Sequence, residues 1–100
     1  MAAHTVTNLP RNTVTRLTVT AETIATSFTF INDGSHPVRL LAGTEGAPPT
    51  LADVLTKGFP FAPGAGETER TVAGMFPGIV GANVIYAAAA KPSKVIFSYA

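Results

Sequence analysis

Residues Phe28 to Gly43 read FTFINDGSHPVRLLAG. At one end Phe28 and Phe30 alternate with Thr29, the period of a strand with one face in a core. At the other, Val38, Leu40 and Ala42 repeat the pattern, with Arg39 on the opposite face. Between them Asn32-Asp33-Gly34-Ser35 is a turn cluster, because Asn, Asp and Gly tolerate the positive φ of tight hairpins. Pro37 has no amide donor and belongs at the edge or first position of the strand that follows. The stretch therefore predicts a hairpin corner with Asn32 to Ser35 at its tip and Phe28, Phe30, Val38 and Leu40 buried on one side. It also sets Asp33, His36 and Arg39 within seven residues. Nucleophilic catalysis would need an activated hydroxyl, an oriented imidazole and an oxyanion hole around one substrate atom. Chain neighbours on a tight turn, Ser35 included, rarely converge that way, so the turn reading is preferred.

The same alternation extends in both directions. Thirteen of the first fifty residues are Thr or Ser, and β-branched Thr suits a pleated, half-buried face. Asn12 to Thr20 (NTVTRLTVT) reads as a strand whose apolar parity slips between Val14 and the Leu17/Val19 pair, which predicts a bulge near Thr15–Arg16. Ile24 and Thr26 continue the Phe28/Phe30 face toward the N-terminus. After the opening stretch, GTEGAPPT is a loop and TLADVL is one helical turn capped by Thr50. GFPFAPGAGE alternates Phe59 and Phe61, then turns through Pro63-Gly64. ETERTVAG, with Thr68, Arg70 and Val72 in alternation, is a charged edge strand. MFPGIVGA is irregular, and NVIYAAAA and SKVIFSYA are the last two strands, joined at Lys91-Pro92. About seven short strands separated by turns predict an all-β domain, a small antiparallel β-sandwich or barrel spanning residues 12–100. Residues 1–11 form an N-terminal arm, which Pro10 separates from the first strand.

Composition narrows the function. One hundred residues make one modest core, with no room for a separate catalytic or cofactor domain. Hydrophobic residues at 46% suffice for that core, whereas charged residues at 13% fall well below the usual quarter. The shortage points to surface reserved for protein contacts. A net charge of +1, with basic residues scattered from Arg11 to Lys94, lacks the clustered stripe that nucleic-acid binding requires. The run GIVGANVIYAAAA is too short to span ~30 Å of hydrocarbon as a helix and is interrupted by Asn83, so no membrane is expected. Absence of cysteine removes thiolate metal sites and nucleophiles. His4 and His36 share no ligand spacing, so no metal is expected. Glu67 and Glu69 share a strand face without a cleft to hold sugar, and no glycine follows the phosphate-loop pattern. No catalytic residue and no cofactor is expected.

The order of turns and strands from Thr23 to Ala100 resembles the small β-structured virion proteins of tailed bacteriophages, the capsid decoration and head-fibre type. The resemblance rests on FINDGSHPVRLLAG, the APP loop, GFPFAPGAGE, the NVIYA strand and the closing SKVIFSYA. It implies a non-enzymatic structural protein of the virion that assembles symmetrically, as a homo-oligomer and with the major capsid or other virion proteins. In that setting the arm would be mobile alone and would reach a neighbour, HTVT adding to an exposed strand edge. Subunit or capsid contacts are then expected at Thr5, Val6 and Leu9, and at Phe59 and Phe61, which flank Pro60 so that at least one faces outward. The alternative is a carbohydrate- or receptor-binding β-module of a tail fibre or spike, although such a module would be expected to expose aromatics, and Trp is absent.

Overall fold

The computed structural model describes residues 3–17, 27–44, 46–79, 82 and 84–99. Along them run β1 (Ala3–Leu9), β2 (Thr15–Arg16), β3 (Phe28–Asn32), β4 (Val38–Gly43), α1 (Leu51–Lys57), β5 (Phe59–Phe61), β6 (Gly66–Arg70), α2 (Val72–Met75), β7 (Val84–Ala88) and β8 (Ser93–Tyr99). The strands form two four-stranded antiparallel sheets, a first in the order β1-β8-β3-β6 and a second in the order β2-β7-β4-β5. The fold is the small antiparallel, sandwich-like β domain expected from the alternation. Residues 18–20 of the expected first strand, and Ile24, Thr26 and Asn83 of later ones, lie outside the described residues.

Consecutive strands alternate between the sheets, and only β4 and β5, linked by α1, are sheet neighbours. The opening stretch is therefore not a hairpin: β3 belongs to the first sheet and β4 to the second. Its four apolar residues are buried as expected, but from two facing sheets. Nor does the turn use positive φ. Among the described residues the left-handed positions are Asn12, at φ 53, and Gly64, at φ 85. Gly34 is needed for close approach instead, since a Cβ there would run into the Ser93 hydroxyl and the Lys94 amide.

The core fills the space between the sheets. From the first come Leu9, Phe28, Phe30, Val95 and Phe97; from the second, Val38, Leu40, Phe61, Ile85 and Ala87. Phe28 stacks on Phe97 with ring centroids 5.1 Å apart, and Phe30 meets Phe61 edge to face at 5.0 Å. Strand β7 is buried along its whole length, because α1 packs on the outer face that β4 and β7 share. Thr50 caps α1 as expected, its hydroxyl accepting from the Asp53 amide at 3.1 Å.

Two boundaries differ from the sequence reading. The stretch expected as an arm is, over residues 3–9, strand β1 of this domain, in unbroken register with β8 from Ala3↔Tyr99 to Leu9↔Ser93. Leu9 explains it: its side chain is buried in the core, and Pro10 falls just past the ladder, where no amide is demanded of it. The strand through ETERTVAG stops at Arg70, because Thr71 caps a helical turn, its hydroxyl accepting from the Gly74 amide at 3.0 Å, and Val72 turns into the core.

Candidate functional site

The corner between β3 and β4 disperses its chemistry. Asp33 pairs with Lys94 at 3.2 Å, the His36 Nδ1–H donates to the Pro92 carbonyl at 2.9 Å, and Arg39 Nη1 donates to the Gly58 carbonyl at 3.0 Å. Each of the three serves a different part of the fold, and none faces a shared substrate position.

What the corner does build is a structural hub on Asn32. It follows Phe28 and Phe30 on the inward face of β3 and is completely buried. Its Nδ2 donates to the carbonyls of His36 (2.9 Å) and Phe61 (3.0 Å), and its Oδ1 accepts from the Gly34 amide (3.0 Å) and the Ser93 hydroxyl (3.1 Å). Its backbone N–H donates to Ala65 and its carbonyl accepts from Gly64. All four side-chain hydrogen-bonding positions are used, as a buried amide requires. The hub ties β3, β5 and the start of β8 together where the chain changes sheets. Sequence reasoning placed Asn32 at the turn tip; the signal that would have found it is parity, since two residues beyond Phe30 is again an inward position.

The exposed apolar residues are where the surface is unusual. Val6 (60%), Phe59 (45%), Ile31 (37%) and Ile79 (36%) stand clear of the core. Val6 and Ile31 flank Ile96 across the first sheet, because Ile96 of β8 is opposite Val6 of β1 on one side and Ile31 of β3 on the other. Directly opposed residues of an antiparallel sheet share a face. Their neighbours Val95, Phe97 and Phe30 point inward, so the three aliphatic side chains form one row across the outer face. His4, Ser98 and Thr29 form the next row on one side, and Asn8 and Lys94 stand opposite each other on the other side.

Phe59 lies at the second patch, stacked on Phe76 with centroids 5.0 Å apart. It borders a groove of about 370 Å³ between β5, β6 and α2, lined also by Pro60, Phe61, Glu67, Arg70 and Met75. Along that groove the Arg70 Nε donates to the Glu67 carboxylate at 3.2 Å.

Of the five contact residues expected from sequence, Val6 and Phe59 are exposed apolar side chains. Thr5 is exposed, with its hydroxyl donating to the Phe97 carbonyl at 3.3 Å. Leu9 and Phe61 are core residues instead, at 1% and 7% exposure. Leu9 takes the inward parity at the end of β1, and Phe61 packs its ring against Phe30. Compared with known protein families, curated proteins and solved structures, the chain matches none of them.

Proposed function

We propose that this chain is a non-enzymatic structural protein of a phage virion, a capsid decoration or stabilising protein that assembles symmetrically on the particle. The observation that carries the reading is the distribution of surface: large aliphatic and aromatic side chains are left exposed, while Asp33, His36, Arg39, Glu67 and Arg70 pair with other charges or with main chain. A small domain with so few charges gains solubility by covering such patches with other proteins. The order of turns and strands resembling decoration and head-fibre proteins supplies the virion part of the reading. The test is co-sedimentation of the purified chain with particles of the phage that encodes it, stripped of this protein. Saturable binding, weakened at least tenfold by Phe59→Ser, supports the reading; a chain that stays in the supernatant and is absent from purified particles overturns it.

The groove beside Phe59 gives the alternative, a carbohydrate- or receptor-binding module, one specific foothold: an exposed aromatic ring next to an acid and a base. Glu67 and Arg70 are engaged with each other, which favours the structural reading. Shifts of the Phe59 and Arg70 resonances on adding host glycans would reverse that preference.

A further inference from the structure

Among the described residues the two sheets present four edges, and three are blunted against further pairing. Strand β2 is two residues long. Strand β5 is Phe59-Pro60-Phe61, with a residue at its centre that has no amide to donate. Strand β6 reads GETER, three charges in five residues, and its register against β3 is broken by an irregularity between Phe28 and Phe30. Short length, proline, charge and bulges are the devices by which β proteins keep sheet edges from pairing.

Strand β1 has none of them. It is seven residues long, AHTVTNL, with no Lys, Arg, Asp or Glu, no proline and an unbroken ladder against β8. Alternate main-chain amides and carbonyls along it face away from β8. We propose that β1 is a homotypic interface: two copies of the chain pair their β1 strands antiparallel about a two-fold axis through Val6. The inference deepens the structural reading above and rests on it.

Sequence and register select this occupant. A two-fold at Val6 is the register that overlaps all seven residues, Ala3 opposite Leu9 of the second copy. It sets Val6 against Val6, Thr5 against Thr7 and His4 against Asn8. The aliphatic row then runs unbroken across both copies, Ile31–Ile96–Val6 meeting its own image. A self-pairing edge brings every charge on it close to its copy, so a strand free of Lys, Arg, Asp and Glu suits this partner. Over ~23 Å of strand the pairing adds about six to eight main-chain hydrogen bonds.

Sedimentation velocity on the full chain tests the proposal, together with cysteine pairing, which the absence of native cysteine makes clean. The wild type is expected to sediment as a dimer. Val6→Lys, which opposes two ammonium groups at the axis, is expected to raise the dissociation constant at least tenfold while leaving circular dichroism and the thermal melt unchanged. Opposed Cβ atoms lie about 4.5–5.5 Å apart in such a pair, within a small shift of disulfide range. Val6→Cys should therefore cross-link to itself under mild oxidation. His4→Cys should not do so alone, but should cross-link when mixed with Asn8→Cys. These cross-links read the register even if Val6→Lys folds poorly. A chain that stays monomeric at hundreds of micromolar, or whose cross-links ignore this pairing, overturns the edge proposal. If that chain still binds particles through Phe59, the structural reading stands; if it binds none, both fall.

Discussion

The two sheets treat their outer faces in opposite ways. Over the second sheet lies α1, whose Val54 is completely buried and whose presence leaves no residue of β7 exposed. Over the first sheet the described residues place nothing, and the row Val6–Ile96–Ile31 faces outward. A chain of this size has few elements to spend on cladding, and the one two-turn helix among the described residues covers a single face. The difference separates a sheet clad by its own helix from one whose apolar row is left open among the described residues.

Removing residues 1–10 would break the comparison outright. A separable arm, as the sequence reading has it, would leave the fold intact and impair only assembly when deleted. With β1 paired along its length to β8 and Leu9 in the core, the expected result is loss of the cooperative thermal transition, read by circular dichroism. A truncated chain that melts like the full-length one would detach β1 from the domain and restore a separable arm.

Next in size is the core that both sheets share. Phe30→Ala or Phe97→Ala should cost ~3–5 kcal/mol in urea unfolding, since each removes a fully buried ring. Against the ~5–15 kcal/mol of a small domain this leaves a marginal fold. A loss below 1 kcal/mol would mean that the sheets are not packed through these rings.

The joint between the sheets comes third. Asn32→Ala strips hydrogen bonds from the His36 and Phe61 carbonyls and the Gly34 amide in a site closed to water, and should cost ~2–3 kcal/mol. Chemical denaturation reads the loss, and an Asn32→Ala chain as stable as wild type would show the hub to be dispensable.

Asn32 also marks where the sequence stops being legible. Period-two alternation located β3, β4, β5 and β8 because it depends only on which face of one strand is buried. Pairing partners depend on where the chain goes next, and Asn32-Asp33-Gly34-Ser35 has the composition of a hairpin turn while serving as a crossing between sheets. The crossing is held by Ser93 and Pro92, some sixty residues away, so nothing local announces it. Val72 is a similar case: its alternation with Arg70 fits a strand, yet the Thr71 cap turns the chain into a helix. Leu9 is expected as a contact because it lies in the arm, but it takes the inward parity of β1; Phe61 shares a strand face with exposed Phe59, and its packing on Phe30, which the sequence does not announce, puts it in the core. Val6 is legible as a contact and at least one of Phe59 and Phe61 as outward, but which of the two, and the row that Val6 forms with Ile96 and Ile31, emerge only once the strands are paired.

A matched pair of substitutions sharpens the contrast between faces. Val54→Ala removes two buried methyl groups from beneath α1 and should cost about 1.5–2 kcal/mol. Ile31→Thr, on the bare face, keeps β-branching and should stay within ~0.5 kcal/mol of wild type. Equal losses from the two would mean that the outer face of the first sheet is already covered within the single chain.

The smallest effect is expected at His36, the residue that first suggested chemistry. Its carbonyl does the structural work, accepting from the Asn32 amide and sharing the single Ser93 hydroxyl proton with Asn32 Oδ1, and any residue supplies a carbonyl. The ring contributes one partly exposed hydrogen bond to Pro92, for which water substitutes when the ring is removed. His36→Ala should therefore change stability by ~0.5 kcal/mol or less and leave sedimentation unaltered. Equilibrium unfolding with the wild type alongside measures it. A loss of several kcal/mol would show that the imidazole itself clamps the crossing to the β7–β8 connection, and the division of labour between the His36 ring and the Asn32 hub would have to be redrawn.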